Sequence, residues 1–380
     1  MGARTHGRRR AAVVGVAIVI TAGLLTASAS ATSNPPWKAK LNKRVPAALE
    51  KGDLPGAIVG VWKDGKRVYL KAFGVTDTTT GAPLETDSHV RIGSLTKAFT
   101  IMGILQLAAD GKLDLDDPIG EYIDGVPNGD VITLRHLAQM RSGLGDYSAV
   151  LVPNLNQDPQ KQYTTQELLD IAVKEPVRAE PGSEFDYNNT NTTLLGAVLE
   201  KVSGTSRAQY VQEHIAKPLG LEDTSVPSSN AIPEPHGRGY GDWNPQEEVE
   251  DETDWSPSWG NAAGDMISTV DDIATFTRAL GTGKLISREM QRERDKGLPA
   301  ATEGVGAKYG LAYELHPGGW QGHNGRIPGW TTYPYYLPGK DVTIVLSINS
   351  STNVLESWEL FQTVVETITP GHPFSDPPTE

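Results

Sequence analysis

Apolar residues change their spacing several times along this chain, and the changes divide it. Trp37–Lys51 carries an amphipathic helical pattern. Two β-rich runs follow, Ala57–Trp62 and Lys66–Phe73, and Lys63-Asp64-Gly65 between them predicts a hairpin turn. From Ser94 the period becomes helical, with Phe99, Met102, Ile104, Leu105 and Leu107 apolar, and it stops at Asp110-Gly111. Leu134–Gln139, Thr165–Val173, Asn191–Val202 and Arg207–Ala216 repeat the helical spacing between proline and glycine loops. Ser268–Leu280 predicts another helix, capped by Ser268 or Thr269 with Asp271 and Asp272 in its first turn. Strand patterns return at Trp330–Leu337 and Val342–Asn349 around Pro338-Gly339-Lys340, and Glu356–Thr367 closes as a helix. Strands at both ends therefore bracket a helical middle. That order predicts an α/β fold: one antiparallel sheet flanked by helices, with a mostly helical lobe inserted.

The two ends modify this picture. Arg4, Arg8, Arg9 and Arg10 precede an uncharged apolar run, Ala11–Leu25, and the small residues 27–31. This is the pattern of an export signal over residues 1–31, its apolar run too short for a membrane span of roughly 20 residues. A secreted chain without a stable membrane span is the expectation. Residues 32–369 then read as one unit, and the proline-rich 370–380 as a disordered tail. The sequence holds no cysteine, so stability comes from a core rather than disulfides, and roughly 350 residues suffice for one. The formal charge of −13 becomes −17 without the four arginines, which disfavours nucleic acid and anionic membranes as partners.

Composition also excludes several chemistries. There is no Gly-x-Ser-x-Gly elbow, no cysteine nucleophile, no His-Glu-x-x-His and no Walker loop. Neither a metal nor a cofactor is implied. What remains is Ser94-Leu95-Thr96-Lys97, the only Ser-x-x-Lys in the chain. A serine at a helix start meets outward-pointing N–H groups, and a lysine three residues on lies one turn along the same face. Burial lets such an ammonium lose its proton and act as base. Tyr187-Asn188-Asn189 is the only Tyr-x-Asn, placing a phenol and an amide in one turn ahead of a helix. A phenol near a lysine can serve as general acid or base. His323-Asn324-Gly325 leads into Arg326; the competing His316-Pro317-Gly318 is discounted because Pro317 suits a turn and has no N–H. Gly325 in a strand permits close backbone approach, so that the next N–H, with that of Ser94, faces a developing oxyanion.

The three motifs in this order resemble the serine penicillin-recognising enzymes, and within them the secreted D-alanyl-D-alanine carboxypeptidases and class C β-lactamase-like proteins. Supporting stretches are residues 141–144, 194–196, 218–224 and 263–269. The resemblance implies the β-lactamase/DD-peptidase fold and an acyl-enzyme on Ser94. It implies proton transfer shared by Lys97 and Tyr187, a substrate-orienting Asn189, and His323, Asn324, Gly325 and Arg326 along the substrate. Which of Lys97 and Tyr187 is the resting base stays open. Class C β-lactamases usually carry Lys-Ser/Thr-Gly at the third motif, which is absent; the carboxypeptidases favour His-Thr-Gly and an arginine on the preceding strand. Here residues 309–315 contain no arginine and the middle residue is Asn324. The expected function is a monomeric serine-type D-Ala-D-Ala carboxypeptidase acting on small cell-wall peptides and inhibited by β-lactams. An esterase on the same scaffold and a weakly turning-over penicillin-binding protein are the alternatives.

Overall fold

The computed structural model describes residues 1–3, 35–243 and 249–377; the expected export signal falls largely outside them. The chain divides into two units, Met1–Pro35 and Pro36–Glu380, and the second carries the elements below. The principal helices are α1 (Pro36–Lys51), α2 (Thr96–Ala109), α3 (Asn189–Ser203), α4 (Val270–Thr282) and α5 (Val354–Ile368). The strands used here are β1 (Gly56–Lys63), β2 (Lys66–Asp77), β3 (Lys308–Tyr309), β4 (Glu314–Leu315), β5 (Gln321–Gly322), β6 (Gly325–Ile327), β7 (Trp330–Leu337) and β8 (Val342–Ile348).

Among the described residues these strands, with short ones at Ala82–Pro83 and Leu298–Pro299, form one sheet. Its central order is β2-β1-β8-β7-β5-β4-β3, with β6 also paired to β7, and every pairing is antiparallel. The β1–β2 turn has positive φ at both Asp64 and Gly65, the backbone that a tight hairpin requires. β1 and β8 are almost wholly buried because helices cover both faces, so they read as apolar runs rather than alternating patterns. On one face Leu41 and Val45 of α1 and Phe361 and Val365 of α5 pack on Val59, Tyr335 and Ile344. On the other, Ile58 and Val345 meet Ile273 and Phe276 of α4 and Phe99 of α2. The helical lobe lies between the two groups of strands in the chain and adds its own core, including Ile104, Leu137, Leu195 and Leu199. The expected architecture is thus present.

α2 is buried nearly all round, which places its first turn in the middle of the molecule. The tail departs from expectation. Over 370–377 it is packed rather than disordered, because Phe374 enters the core beside Phe361 and Trp358, and Trp358 Nε1 donates to the Ser375 carbonyl at 3.0 Å. Residues 378–380 lie outside the described residues. No helix among the described residues is long and apolar enough to cross a membrane.

Candidate active site

Ser94 sits in a single 3-10 turn, Gly93–Leu95, directly before α2. Its hydroxyl makes no capping hydrogen bond; the cap position is Leu95. The oxygen instead lies 2.9 Å from Lys97 Nζ, which in turn stands 4.7 Å from the centroid of the Tyr187 ring. Gly93 has φ +50°, and a Cβ there would come 2.6 Å from the Arg326 nitrogen. Glycine thus lets β6 lie against the serine turn.

Lys97 is fully buried, and its Nζ also reaches Asn189 Oδ1 at 2.7 Å and the Ala263 carbonyl at 3.0 Å. Burial pulls its pKa from 10.5 down to about 7, against the opposing pull of Asp146, Glu303 and Glu314. A neutral amine carries two hydrogens and one lone pair. Asn189 Oδ1 and Ala263 O can only accept, so they take the two hydrogens and leave the lone pair toward the Ser94 hydroxyl. Burial moves Tyr187 the other way, well above its usual 10, and keeps it a neutral phenol. These shifts leave Lys97 able to give up its proton near neutrality while Tyr187 keeps its own.

Asn189 is the first residue of α3 and is held at both ends of its amide. Nδ2 donates to Ser148 Oγ at 3.0 Å, and Ser148 donates in turn to Asp146 Oδ2 at 2.5 Å. The Asp146–Ser148 pair escaped the sequence reading, although it directly follows the recognised 141–144 stretch. A cavity of about 540 Å³ opens on Ser94, Ser148, Asn189 and Arg326, walled by Trp243, Trp259, Val152 and Ile327, with Asp242 at its edge.

The third motif divides. β6 and β7 join through Pro328-Gly329, closing on Ile327↔Trp330, so Arg326↔Thr331 is the next, non-hydrogen-bonded pair. The Arg326 N–H therefore turns away from β7, on the side where Gly93 lies. Gly325 is forced by another close approach, since a Cβ would stand 1.9 Å from the Ile92 carbonyl oxygen. The neighbour that needs this glycine is the serine turn, where the sequence suggested a ligand. The Arg326 guanidinium faces the cavity but is engaged: Nε donates to the Ser351 carbonyl at 2.7 Å, Nη2 is 3.6 Å from Asp242 Oδ1, and the group lies over Trp243.

His323 and Asn324 do not join the wall expected of them. His323 is fully buried, with Nε2 on the Tyr309 hydroxyl at 2.8 Å and Nδ1 near the Asn324 carbonyl and Glu314. Burial lowers its pKa from 6.5, so it stays neutral. Asn324 lines a separate cavity of about 230 Å³ with Glu303 and Trp358. Among the described residues, no group of His, Cys, Asp and Glu is arranged to hold a metal.

The sequence and the fold find parallels in known proteins. The Beta-lactamase family model matches residues 41–361. Penicillin-binding protein 4* of Bacillus subtilis (strain 168) is 28% identical over 348 residues, spanning 86% of this chain and 75% of that protein. The D-amino acid amidase from Ochrobactrum anthropi SV3, complexed with L-phenylalanine, superposes with a TM-score of 0.78 at 29% identity, over 87% of this chain and 99% of that one. The D-stereospecific amidohydrolase from Streptomyces sp. gives 0.76 at 29% identity, over 86% and 98%. With the family matched along most of its length, the chain belongs to the Beta-lactamase family and is a serine hydrolase of the penicillin-recognising fold.

Proposed function

We propose that this protein hydrolyses amides, esters and short peptides of D-amino acids through an acyl-enzyme on Ser94, and that it favours uncharged leaving groups. Neutral Lys97 takes the Ser94 proton as Oγ bonds to the substrate carbonyl carbon. The Ser94 and Arg326 N–H groups hold the oxyanion, where preorganised donors act most strongly. Asn189 orients the substrate amide. Tyr187, its ring 4.7 Å from Lys97 Nζ, hands a proton to the departing nitrogen or oxygen, and water then cleaves the ester by the reverse transfers. A β-lactam would acylate the same oxygen and turn over slowly.

One observation carries the leaving-group preference. Arg326 is the one cation lining the Ser94 cavity among the described residues, and Asp242 and the Ser351 carbonyl already balance it. A terminal carboxylate entering there meets both charges, whereas an amide or ester meets no mismatch. The amidase and amidohydrolase neighbours support this reading. The second reading, a D-Ala-D-Ala carboxypeptidase on cell-wall peptides outside the cell, rests on the same residue. The Arg326 side chain retains 40% exposure, and a guanidinium fork matches a carboxylate.

A panel separates the two: D-phenylalanine amide, acyl-D-Ala-D-Ala, p-nitrophenyl acetate and a cephalosporin, with the parent and with Arg326→Ala. Faster turnover of the amide and ester than of the dipeptide supports the amidase. Dominant release of D-alanine, reduced by about 1.5–3 kcal/mol in Arg326→Ala with the ester rate kept, establishes the carboxypeptidase. Equal losses on all substrates make Arg326 structural.

A further inference from the structure

Behind the third motif lies a set of buried polar groups that the serine chemistry above does not use. Glu314 stands on β4 between Tyr309 of β3 and Gly322 of β5, with no exposed surface. Its Oε1 is 3.2 Å from the Asn324 amide nitrogen and 3.3 Å from His323 Nδ1. Its Oε2 is 3.0 Å from His316 Nε2 and accepts the Tyr335 hydroxyl. A carboxylate has about four lone-pair positions; the Asn324 N–H, His316 Nε2 and the Tyr335 hydroxyl take up three, with His323 Nδ1 close beside the fourth. His316 passes the chain on through Nδ1 to Ser375 Oγ at 2.7 Å, in the packed tail.

The Asn324 carbonyl, with the Glu314 carboxylate beside it, sets the tautomer of His323. With Nδ1 protonated toward Glu314 and the Asn324 carbonyl, Nε2 keeps a lone pair for the Tyr309 hydroxyl at 2.8 Å. Tyr309 then packs edge-on against Tyr187, ring centroids 6.2 Å apart. On the other branch, the Asn324 amide held by Glu314 immediately precedes Gly325, whose Cα approaches Ile92 and Leu95 so closely that no Cβ fits. The first branch ends at Tyr187, whose ring faces Lys97, and the second at the turn that carries Ser94.

We propose that Glu314 is a positioning residue for the serine chemistry: through His323 and the Asn324 amide, its carboxylate fixes where the Gly325–Arg326 backbone lies against Ser94. The inference rests on the hydrolase reading. It differs from simple packing because the acceptor oxygen, rather than side-chain volume, is what the neighbours need. Misplacement of an oxyanion donor by a fraction of an ångström weakens the transition state while leaving ground-state binding largely intact.

The test compares Glu314→Met, which keeps volume and removes the acceptor, with Glu314→Gln, which restores an acceptor oxygen without the charge. Both are assayed with p-nitrophenyl acetate and by the rate of labelling with a penicillin. Glu314→Met should lose about tenfold or more in kcat with KM within about twofold. Glu314→Gln should recover to within about threefold of the parent. Unchanged kcat in folded Glu314→Met, or equal loss in both variants, overturns the proposal. If Glu314→Met does not fold, Tyr309→Phe removes the partner on the far nitrogen of His323. It should lower kcat about threefold or more at constant KM, and an unchanged kcat there overturns the proposal equally. A parent inactive on every substrate overturns the hydrolase reading itself; an active parent with a fully active Glu314→Met variant overturns this inference alone.

Discussion

At the residue scale, Ser94 and Lys97 have roles that stability and activity separate. Because the Ser94 hydroxyl bonds to Lys97 rather than capping α2, Ser94→Ala should not show the cap penalty of about 0.5–2 kcal/mol. Urea unfolding should place it within about 0.5 kcal/mol of the parent, while penicillin labelling and ester turnover disappear. Lys97 should carry the pH dependence. Its folded pKa of about 7 means that kcat/KM should fall as pH drops below 7 and the amine is protonated. The same shift bears on stability. The folded pKa lies below the unfolded 10.5, so the cost of burying the ammonium is complete below pH 7 and is relieved as pH rises toward 10.5. Lys97→Met removes that cost. Its Tm relative to the parent should therefore be highest near pH 6 and decline toward pH 10, although the variant is inactive; a pH-independent difference contradicts a buried, down-shifted lysine.

At the element scale, the site exists because β6 presses on the turn before α2. Gly325→Ala would put a methyl group into the Ile92 carbonyl, where backbone rather than a flexible side chain must move. Overpacking of this kind costs about 1–3 kcal/mol. The variant should lose activity on every substrate together, since the N–H proposed to hold the oxyanion shifts with the strand; a stability loss without a kcat loss would separate β6 from catalysis. Most element boundaries follow from the sequence to within a few residues, as with Trp37–Lys51 against α1 and Trp330–Leu337 against β7. α4 is instructive. It starts at Val270 rather than Ser268, and neither proposed cap, Ser268 or Thr269, caps it through its side chain: Ser268 Oγ meets Thr224, and the first-turn Asp272 accepts from Asp223 and Thr224. Tertiary partners took the groups that local propensity assigned to the helix end. The Arg207–Ala216 pattern likewise passes from α-helix into a π-helical stretch at Gln212–Ala216, which apolar spacing does not distinguish.

At the scale of the whole molecule, the ends of the chain support its centre. Phe374, from the segment that composition marked as disordered, is 5% exposed and packs among His316, Tyr335 and Phe361. Phe374→Ala should cost about 3 kcal/mol, the lower end for a buried phenylalanine, because a terminal segment can relax. Urea unfolding checks this, and a change under about 0.5 kcal/mol would mean that the tail is not part of the core. Ser94, Lys97, Tyr187 and Asn189 were legible in sequence because short spacing within a turn or helix start fixes their local geometry. Their convergence needed only the lobe to fold back onto α2. The helical middle between two groups of strands was legible for a similar reason, since it follows from the order of periods along the chain. The third motif was legible as far as its glycine and the N–H that follows. Where its side chains point was not. With helices on both faces of the sheet, strand residues lose the alternation of polar and apolar that reveals which side faces a cavity. His323 was therefore read into the wall but lies buried on Glu314 and Tyr309, and Glu314 registered only as the absence of an arginine. Its partners at 316, 323, 324 and 335 meet through strand register and chain reversal, long-range relations that only the folded sheet decides.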